Sequence, residues 1–364
     1  MTDSSHPTHG GGDSDLNGDG VSRGASGRSS VGPDKLGRRL RDLRLSITDR
    51  CNFRCVYCMP REIFGPDFQF LSRDEILSFE ELHRVAALFV GLGVRKIRIT
   101  GGEPLIRREM EQLVGMLASI PELEDLAMTT NASLLAQKAQ VLKEAGLHRV
   151  TVSLDALDPE RFQAMSDTSF PVERVLEGIR VAQEVGLDPV RVNMVVKRGA
   201  NEDQILPMAE YFRGSGVTLR FIEFMDVGTA NDWRLDDVVP AREVLELLES
   251  RWVMEPLDPR YPGEVATRYR YGDGGGEVGV ISSVSRPFCS TCTRARVTAR
   301  GELFTCLFGS RGHDLRDLLR SGASDSEIQA VVRGIWEGRT DRYSQLRSQA
   351  TRDLPRVEMF RIGG

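Results

Sequence analysis

The sequence has 364 residues, of which 40% are hydrophobic and 28% charged, and its formal net charge is −5. This composition allows a substantial core and argues against nucleic-acid or anionic-membrane binding through bulk charge. No apolar run approaches the roughly 20 residues that cross a bilayer, and the amino terminus lacks a secretory apolar segment, so the cytoplasm is the expected location. Six cysteines are too few for a disulfide scaffold, and clustered cysteines then favour metal or redox chemistry.

Residues 1–38 are predicted to form a disordered tail, because residues 1–33 are rich in Gly and Ser and nearly devoid of large apolar groups. Beyond this tail, β-rich runs alternate with helical patterns. The runs are DLRLSIT (42–48), RKIRIT (95–100), EDLAMTT (124–130), RVTVSLD (149–155), VRVNMVV (190–196) and LRFIEFM (219–225). Such alternation is typical of parallel strands joined by helical crossovers. We therefore predict an α/β fold, a partial (β/α)6 TIM-type barrel over residues 39–255, with its chemistry at the carboxyl ends of the strands.

The predicted helices carry recognisable start and stop signals. Ser78 and Glu81 form a capping-box pattern ahead of an apolar helical repeat. Further helical patterns cover 109–120, 135–146, 173–186 and 203–213, and glycines follow three of them, namely Gly146, Gly186 and Gly216. Beyond residue 255 the alternation stops. Residues 256–364 are therefore predicted to form a C-terminal extension that closes the barrel mouth.

The six cysteines fall into two groups of three. The first triad, Cys51, Cys55 and Cys58, directly follows the first predicted strand, and the second triad consists of Cys289, Cys292 and Cys306. Three thiolates can hold three corners of a cubane iron–sulfur cluster and leave one iron open, whereas a structural zinc site normally has four ligands. The spacings favour two iron–sulfur sites. One zinc ion shared by four of the cysteines, or six unrelated buried cysteines, are the alternatives.

Several motifs together identify a family. The segments TDRCNFRCVYCMP, RKIRITGGEP and TTN, the second triad and the terminal Gly363-Gly364 resemble the GTP 3′,8-cyclase family of the radical S-adenosylmethionine superfamily. The likeness covers about residues 40–364. It implies an enzyme that converts GTP to (8S)-3′,8-cyclo-7,8-dihydroguanosine 5′-triphosphate in the first step of molybdenum cofactor biosynthesis. A terminal Gly-Gly is also the family feature that reaches the active site, so Gly363 and Gly364 are expected to assist catalysis.

The resemblance assigns the first triad to a 4Fe–4S cluster whose open iron binds S-adenosylmethionine. Further contacts to this cofactor are implied at the barrel mouth, by Tyr57, Gly102, Ser153 and Met225. In the GGEP motif, glycine permits a close backbone approach, and the carboxylate of Glu103 is expected to suit the ammonium group of the ligand. A plain turn is the alternative for this motif.

The second triad is implied to hold another 4Fe–4S cluster, whose open iron meets the guanine of GTP. The residues implied to bind GTP are Arg44, Arg98, Thr129, Arg191, Arg294, Ala295 and Arg296. Arg294 and Arg296 alternate in an extended segment, so both guanidinium groups are expected on one face, where they suit phosphate. A solvated charge run is the alternative. Two departures from the family stand out: Arg191 replaces a usual lysine, and Ala132 replaces a common glycine.

The implied partners are a one-electron reductant and a downstream cyclic pyranopterin monophosphate synthase, while the oligomeric state stays open between monomer and homodimer. A different radical S-adenosylmethionine enzyme with an auxiliary cluster, such as a peptide modifier, is the nearest alternative function. A zinc-stabilised binding module without catalysis is an alternative of another class. Nucleic-acid binding is poorly supported, since no basic face rich in aromatic residues is evident.

Overall fold

The computed structural model describes residues 30–348 and 356–363. Its centre is a set of six parallel strands that pair in chain order. They are β1 Asp42–Ser46, β2 Lys96–Thr100, β3 Asp125–Thr130, β4 Arg149–Ser153, β5 Arg191–Val196 and β6 Thr218–Glu223. All six predicted strands are therefore present, and their carboxyl ends lie at one edge of the sheet.

Helices connect the strands, as the alternation predicts. They are α1 Phe79–Gly91, α2 Met110–Ala118, α3 Leu135–Glu144, α4 Pro159–Ser166, α5 Val172–Glu184, α6 Ile205–Phe212 and α7 Ala241–Glu249. The capping box at the start of α1 is confirmed, because the Ser78 side chain accepts from the Glu81 amide and the Glu81 side chain accepts from Ser78. Gly146 and Gly186 adopt positive φ angles just after α3 and α5, as helix-ending glycines do.

The C-terminal part of the chain extends the sheet at both of its edges. Its strands are β7 Met254–Leu257, β8 Thr267–Tyr271, β9 Glu277–Ile281, β10 Arg294–Val297, β11 Glu302–Phe304 and β12 His313–Asp314. Strand β9 pairs in parallel with β6, and β10 pairs in parallel with β1. The sheet order is β12-β11-β10-β1-β2-β3-β4-β5-β6-β9-β8-β7, so the barrel stays open. The extension is thus interleaved with the barrel, and the proposed boundary at residue 255 stays a prediction.

Further helices complete the described chain: α8 Arg316–Arg320, α9 Asp325–Glu337, α10 Tyr343–Leu346 and α11 Met359–Ile362. Most of the predicted tail lies outside the described residues. Residues 30–38, however, contact the body of the protein: the Val31 amide donates to the Leu92 carbonyl, and Trp336 Nε1 of α9 donates to the Arg38 carbonyl. Within the part of the chain that the structure describes, no helix has the length and apolar character to span a membrane.

The two faces of the barrel strands differ sharply. On one face, side chains such as Leu43, Ile97 and Val192 are fully buried in the core beneath the helices. The alternate residues point to the other face, and several are cationic: Arg44 in β1, Arg98 in β2, Arg220 in β6 and both arginines of β10. The interior of the barrel therefore carries positive charge, although the whole chain is acidic.

Candidate active site

The first triad lies in the loop that follows β1. The carbonyl of Cys55 accepts hydrogen bonds from the amides of Cys58 and Met59, both at 2.9 Å, and this turn brings the last two cysteines together. Asn131, just beyond β3, lies with its Nδ2 3.9 Å from Cys51 Sγ. The three cysteines are half-buried. The sequence motif is therefore folded as a compact turn at the carboxyl edge of the barrel.

The surroundings of the first triad disfavour free thiolates. Burial, assisted by the charge of Glu103, raises the pKa of Cys51 to about 12. Burial also raises the pKa values of Cys55 and Cys58, with Asp155 adding to the effect on Cys55. A bound metal cation offsets such a penalty, because metals bind the thiolate form. These residues therefore fit a metal cluster as its ligands.

The GGEP motif is packed directly against the loop that carries the first triad. The amide of Gly102 donates to the Thr48 carbonyl at 2.8 Å. A Cβ atom at Gly102 would lie 2.0 Å from the Arg50 carbonyl oxygen, so no side chain fits there. This close approach requires glycine and leaves the backbone of the motif beside Cys51.

Glu103 has a different role from the one that the sequence suggests. Its side chain is 1% exposed, and its carboxylate accepts from Thr130 Oγ1 at 2.7 Å, the Asn131 amide at 2.7 Å and the Leu105 amide at 3.0 Å. Both oxygens are thus engaged within the protein rather than presented to a ligand. Glu103 ties the end of β3 to the GGEP motif.

The residues implied to contact S-adenosylmethionine gather at the carboxyl edge. Ser153 ends β4, and Met225 lies two residues beyond β6. Tyr57, within the first triad, is buried, and its hydroxyl donates to Asp155 at 2.8 Å. Met225 differs from the others because it also lines the cavity of the second triad. It therefore marks the junction between the two halves of the site.

The second triad borders a cavity of about 190 Å³. Cys289 and Cys292 lie around a 3₁₀ turn ahead of β10, and Cys306 follows β11. The cations that line the same cavity are Arg38, Arg44, Lys96, Arg98, Arg220, Arg294, Arg296 and Arg339. Such a concentration of guanidinium groups suits a polyanion. The cavity thus joins thiol ligands to a phosphate-binding environment.

Strand β10 presents its two arginines to this cavity. Arg294 and Arg296 both line it, while Ala295 between them is 1% exposed and packs in the core. A contact from Ala295 to a nucleotide would therefore come from its backbone. Burial, followed by the charge of Arg294, lowers the pKa of Arg296 to about 9. Bound anions relieve such crowding of positive charge.

Strand β2 contributes Arg98 from the middle of the strand. Its Nη1 donates to Thr129 Oγ1 at 3.0 Å and to Thr151 Oγ1 at 2.9 Å. Burial and the neighbouring Arg149 lower the pKa of Arg98 to about 9. The structure therefore brings Thr129 and Arg98 together, as the resemblance implies. Nearby Ala132 has a φ of 62°, a conformation that glycine adopts at lower cost.

Arg191 and Arg220 depart from the expected arrangement. Arg191 begins β5 and lines a second, smaller cavity, apart from the second triad. Arg220, which the sequence reasoning missed, lines both cavities, and its buried Nε has no hydrogen-bond partner within the described residues. A signal was available, since an arginine alternates with apolar residues in LRFIEFM as Arg98 does in RKIRIT.

The end of the chain enters this arginine cluster. Helix α11 delivers Gly363, whose carbonyl accepts from Arg44 Nη1 at 3.3 Å and also from Arg296 Nη1. Gly363 has a φ of 72°, and a Cβ there would lie 2.5 Å from Thr100 Cγ2. Glycine is therefore required at this position. Gly364 lies outside the described residues.

Residues 356–363, here called the C-terminal strap, are anchored along their length. Phe360 is 1% exposed, and its ring lies 4.9 Å from that of Phe64, in the loop that follows the first triad. Glu358 accepts from the amide of Thr229 at 3.0 Å, beyond β6. The strap therefore crosses from the loop of the first triad to the arginines beside the second.

Neither triad forms a site for a single metal ion. Within residues 30–348 and 356–363, no three Cys, His, Asp or Glu side chains converge on one ion position. In a cubane cluster each thiolate binds a different iron, so its ligands need not converge on one point. The donor sets, three cysteines each, fit iron–sulfur clusters.

Known proteins resemble this chain over nearly its whole length. Residues 45–212 match the Radical SAM superfamily, and residues 217–345 match the family described as Molybdenum Cofactor Synthesis C. GTP 3′,8-cyclase from Acidothermus cellulolyticus is 56% identical over 86% of this chain and 88% of that protein. The enzyme of the same name from Staphylococcus carnosus is 49% identical over 91% of this chain and 98% of that protein.

A solved structure with the same fold is Streptococcus suis SuiB bound to S-adenosylmethionine. The TM-score is 0.58 at 14% sequence identity, over 86% of this chain and 72% of that one. This likeness supports the partial barrel and nothing more specific. The sequence relatives go further, because their identity and coverage are high. The chain belongs to the GTP 3′,8-cyclase family of the radical S-adenosylmethionine superfamily.

Proposed function

We propose that this protein converts GTP to (8S)-3′,8-cyclo-7,8-dihydroguanosine 5′-triphosphate, the first step of molybdenum cofactor biosynthesis. Family membership supports this activity. The structural observation that carries it is the cavity shared by the second triad and the arginine cluster. A cavity with both features can bind a nucleotide base at one end and its phosphates at the other.

In the first half of the site, Cys51, Cys55 and Cys58 would hold a 4Fe–4S cluster. Together with S-adenosylmethionine, such a cluster would supply one-electron radical chemistry directed at the ribose of GTP. The chain contributes binding and orientation. The residues proposed to surround S-adenosylmethionine are Tyr57, Gly102, Ser153 and Met225, all near the carboxyl edge of the barrel.

In the second half, Cys289, Cys292 and Cys306 would hold a further 4Fe–4S cluster facing the guanine base. The residues proposed to bind GTP are Arg44, Arg98, Thr129, Arg191, Arg294, Ala295 and Arg296. The guanidinium groups of the five arginines neutralise the triphosphate and fix its position. As a result, C3′ and C8 of the same nucleotide are held for ring closure. Arg191 lines the smaller cavity together with Arg98 and Arg220, so its proposed contact would be made from there.

The C-terminal strap is proposed to complete the site. Gly363 already contacts Arg44 and Arg296, so a nucleotide bound there would lie beside the end of the chain. We assign Gly363 and Gly364 a supporting role in catalysis. A one-electron reductant and cyclic pyranopterin monophosphate synthase, which would take the product, are the proposed partners.

The decisive experiment is anaerobic incubation with S-adenosylmethionine, dithionite and each nucleoside triphosphate in turn, with the products read by mass spectrometry. GTP alone is expected to yield the cyclised product together with 5′-deoxyadenosine. Cleavage of S-adenosylmethionine without any GTP affinity would instead favour a different radical enzyme, such as a peptide modifier. Zinc in place of iron and sulfide would favour a binding module.

A further inference from the structure

Three charged side chains are buried together behind the second triad. Asp34 accepts from Arg38 Nε at 2.5 Å and lies 3.5 Å from Arg339 Nη1, and the three side chains are 0%, 1% and 2% exposed. One carboxylate therefore lies between two guanidinium groups, and the more exposed carboxylate of Asp341 lies 3.4 Å from Arg339 Nε. Such burial is costly for stability unless further partners compensate it. The group is here called the Arg–Asp–Arg cluster.

Each arginine of this cluster reaches a different cysteine. Arg38 Nη1 donates to the Cys289 carbonyl at 2.9 Å. Arg339 Nη1 donates to the Cys292 carbonyl at 2.9 Å, and its Nη2 lies 3.4 Å from Cys292 Sγ. From the cavity side, Arg294 Nη2 lies 3.4 Å from the same sulfur. Cations thus approach the second triad from two directions.

A separate observation concerns Arg38 Nη2. This atom is buried and has no hydrogen-bond partner among the residues that the structure describes. The whole residue is 3% exposed, and it lines the cavity with the second triad. A buried N–H group without an acceptor is unfavourable. A sulfur-rich group held by the three cysteines would provide the missing acceptor.

We propose that the Arg–Asp–Arg cluster helps to keep the second iron–sulfur cluster bound to its three cysteines. We also propose that it raises the reduction potential of that iron–sulfur cluster. The inference rests on the proposed function, in which the second triad carries such a cluster. Uptake of one electron makes a thiolate-bound cluster more negative. Nearby positive charge and hydrogen bonds to sulfur stabilise that reduced state. Removing them is therefore expected to shift the potential to more negative values.

The test isolates the second cluster. A full-length parent variant carrying Cys51→Ser, Cys55→Ser and Cys58→Ser removes the ligands of the first cluster. Arg38→Gln and Arg339→Gln, made in this parent, remove one positive charge each, whereas Arg38→Lys and Arg339→Lys keep the charge but lose the planar donor geometry. Iron per chain is measured, and the midpoint potential is read by electron paramagnetic resonance during an anaerobic dithionite titration.

Arg84→Gln provides the matched control. Arg84 lies on α1, donates to Asp325 at 2.8 Å and to the Ala323 carbonyl at 2.6 Å, and joins α1 to the start of α9. Arg84→Gln thus loses a charge and two hydrogen bonds between distant segments without touching either triad, at a more exposed position than Arg38 or Arg339. Its potential is expected to equal that of the parent.

The glutamine variants are expected to show the most negative potentials, and the lysine variants intermediate ones. Loss of iron with an unchanged melting temperature would support the holding role. Parent-like potentials in both glutamine variants at full iron content would overturn the proposal, as would an equal shift in Arg84→Gln. If a glutamine variant fails to fold, the midpoint potential of the corresponding lysine variant is used instead. A parent-like potential in that lysine variant would contradict the proposal. A parent without iron would instead refute the second cluster itself.

Discussion

The first triad lies among carboxylates, whereas the second lies among guanidinium groups. Burial and Glu103 raise the pKa of Cys51 to about 12. At Cys292 burial acts in the same direction, but Arg294 and Arg339 outweigh it and lower the pKa to about 6. The two cysteine triads therefore lie in different electrostatic surroundings, and the contrast is sharpest at Cys292, since burial raises the pKa of Cys306 to about 11.

This difference corresponds to the charges of the two proposed ligands. S-adenosylmethionine carries a sulfonium and an ammonium group, which acidic surroundings favour. GTP is a polyanion, which the arginine-lined cavity favours. The sign of the charge around each cysteine triad thus matches the ligand that is proposed to bind there.

The largest expected effect comes from the cysteines themselves. Cys55→Ala removes a ligand of the first cluster and is expected to abolish cleavage of S-adenosylmethionine. Cys306→Ala removes a ligand on the other side and is expected to spare some cleavage while cyclisation is lost. Both 5′-deoxyadenosine and the cyclised nucleotide are quantified by mass spectrometry. Equal, undiminished activity in the two variants would reject the division of labour.

Phe360→Ala tests whether the C-terminal strap links the two halves. Loss of a buried Phe costs about 3–5 kcal/mol, which here opposes docking of the strap and corresponds to a hundredfold change or more. Cyclisation is expected to fall by about two orders of magnitude while S-adenosylmethionine is still cleaved. The measurement is the ratio of 5′-deoxyadenosine to cyclised product.

Phe212→Ala is the control for the strap, because Phe212 is buried in the main core on α6. It is expected to lower the melting temperature without changing the product ratio. A Phe360→Ala protein with the wild-type ratio would show that docking of the strap does not couple the two halves.

Arg296→Ala tests whether this arginine belongs to the proposed GTP site in the second half. Arg296 is buried in the cavity wall, and a hydrogen bond from a charged group contributes about 1.5–3 kcal/mol. GTP binding is expected to weaken about 10- to 100-fold, as measured by anaerobic equilibrium binding. Arg198→Ala, which removes a surface pair with Glu243, is expected to bind GTP normally. An unchanged dissociation constant in Arg296→Ala would exclude this residue from the GTP site.

The smallest expected effect is a pH dependence of stability that arises from Glu103, beside the first triad. Burial raises the pKa of Glu103 from 4.5 to about 7, although the hydrogen bonds that its carboxylate accepts oppose this rise. The associated stability is present below about pH 4.5 and is lost as the pH rises through about 7. The free energy of unfolding of the wild type, relative to Glu103→Gln, is expected to fall by about 2 kcal/mol between about pH 5.5 and 7.5. Urea titrations of both proteins check this, and a constant difference would contradict it.

Local signals were sufficient to predict the barrel. The capping box at Ser78 and the six apolar strand runs depend on neighbouring residues, and the structure contains them nearly as expected. The placement of β9 and β10 on opposite edges of the barrel could not be predicted in this way. It depends on pairing between segments far apart in the chain, which the hydrophobic period does not specify.

The same distinction between local signals and long-range contacts applies to the site. Cysteine spacing pointed to both triads, and family likeness pointed to Arg98 and Thr129, which the structure joins. Asp34 and Arg339 escaped notice because their meaning arises from contacts across about 300 residues of chain, and because residue 34 was assigned to the tail. Glu103 was misjudged since a sequence does not reveal whether a carboxylate faces solvent, a ligand or a backbone amide.

The interleaved sheet also affects how the protein is made. Strands β1 to β6 leave the ribosome long before β9 and β10, their partners on either side. Until those segments emerge, the nascent barrel presents two unpaired borders, which in general invite intermolecular association. Pairing of β9 and β10 thus completes the candidate active site and covers the exposed sheet edges at the same late stage of synthesis. A chain whose synthesis stalls before residue 277 is expected to aggregate.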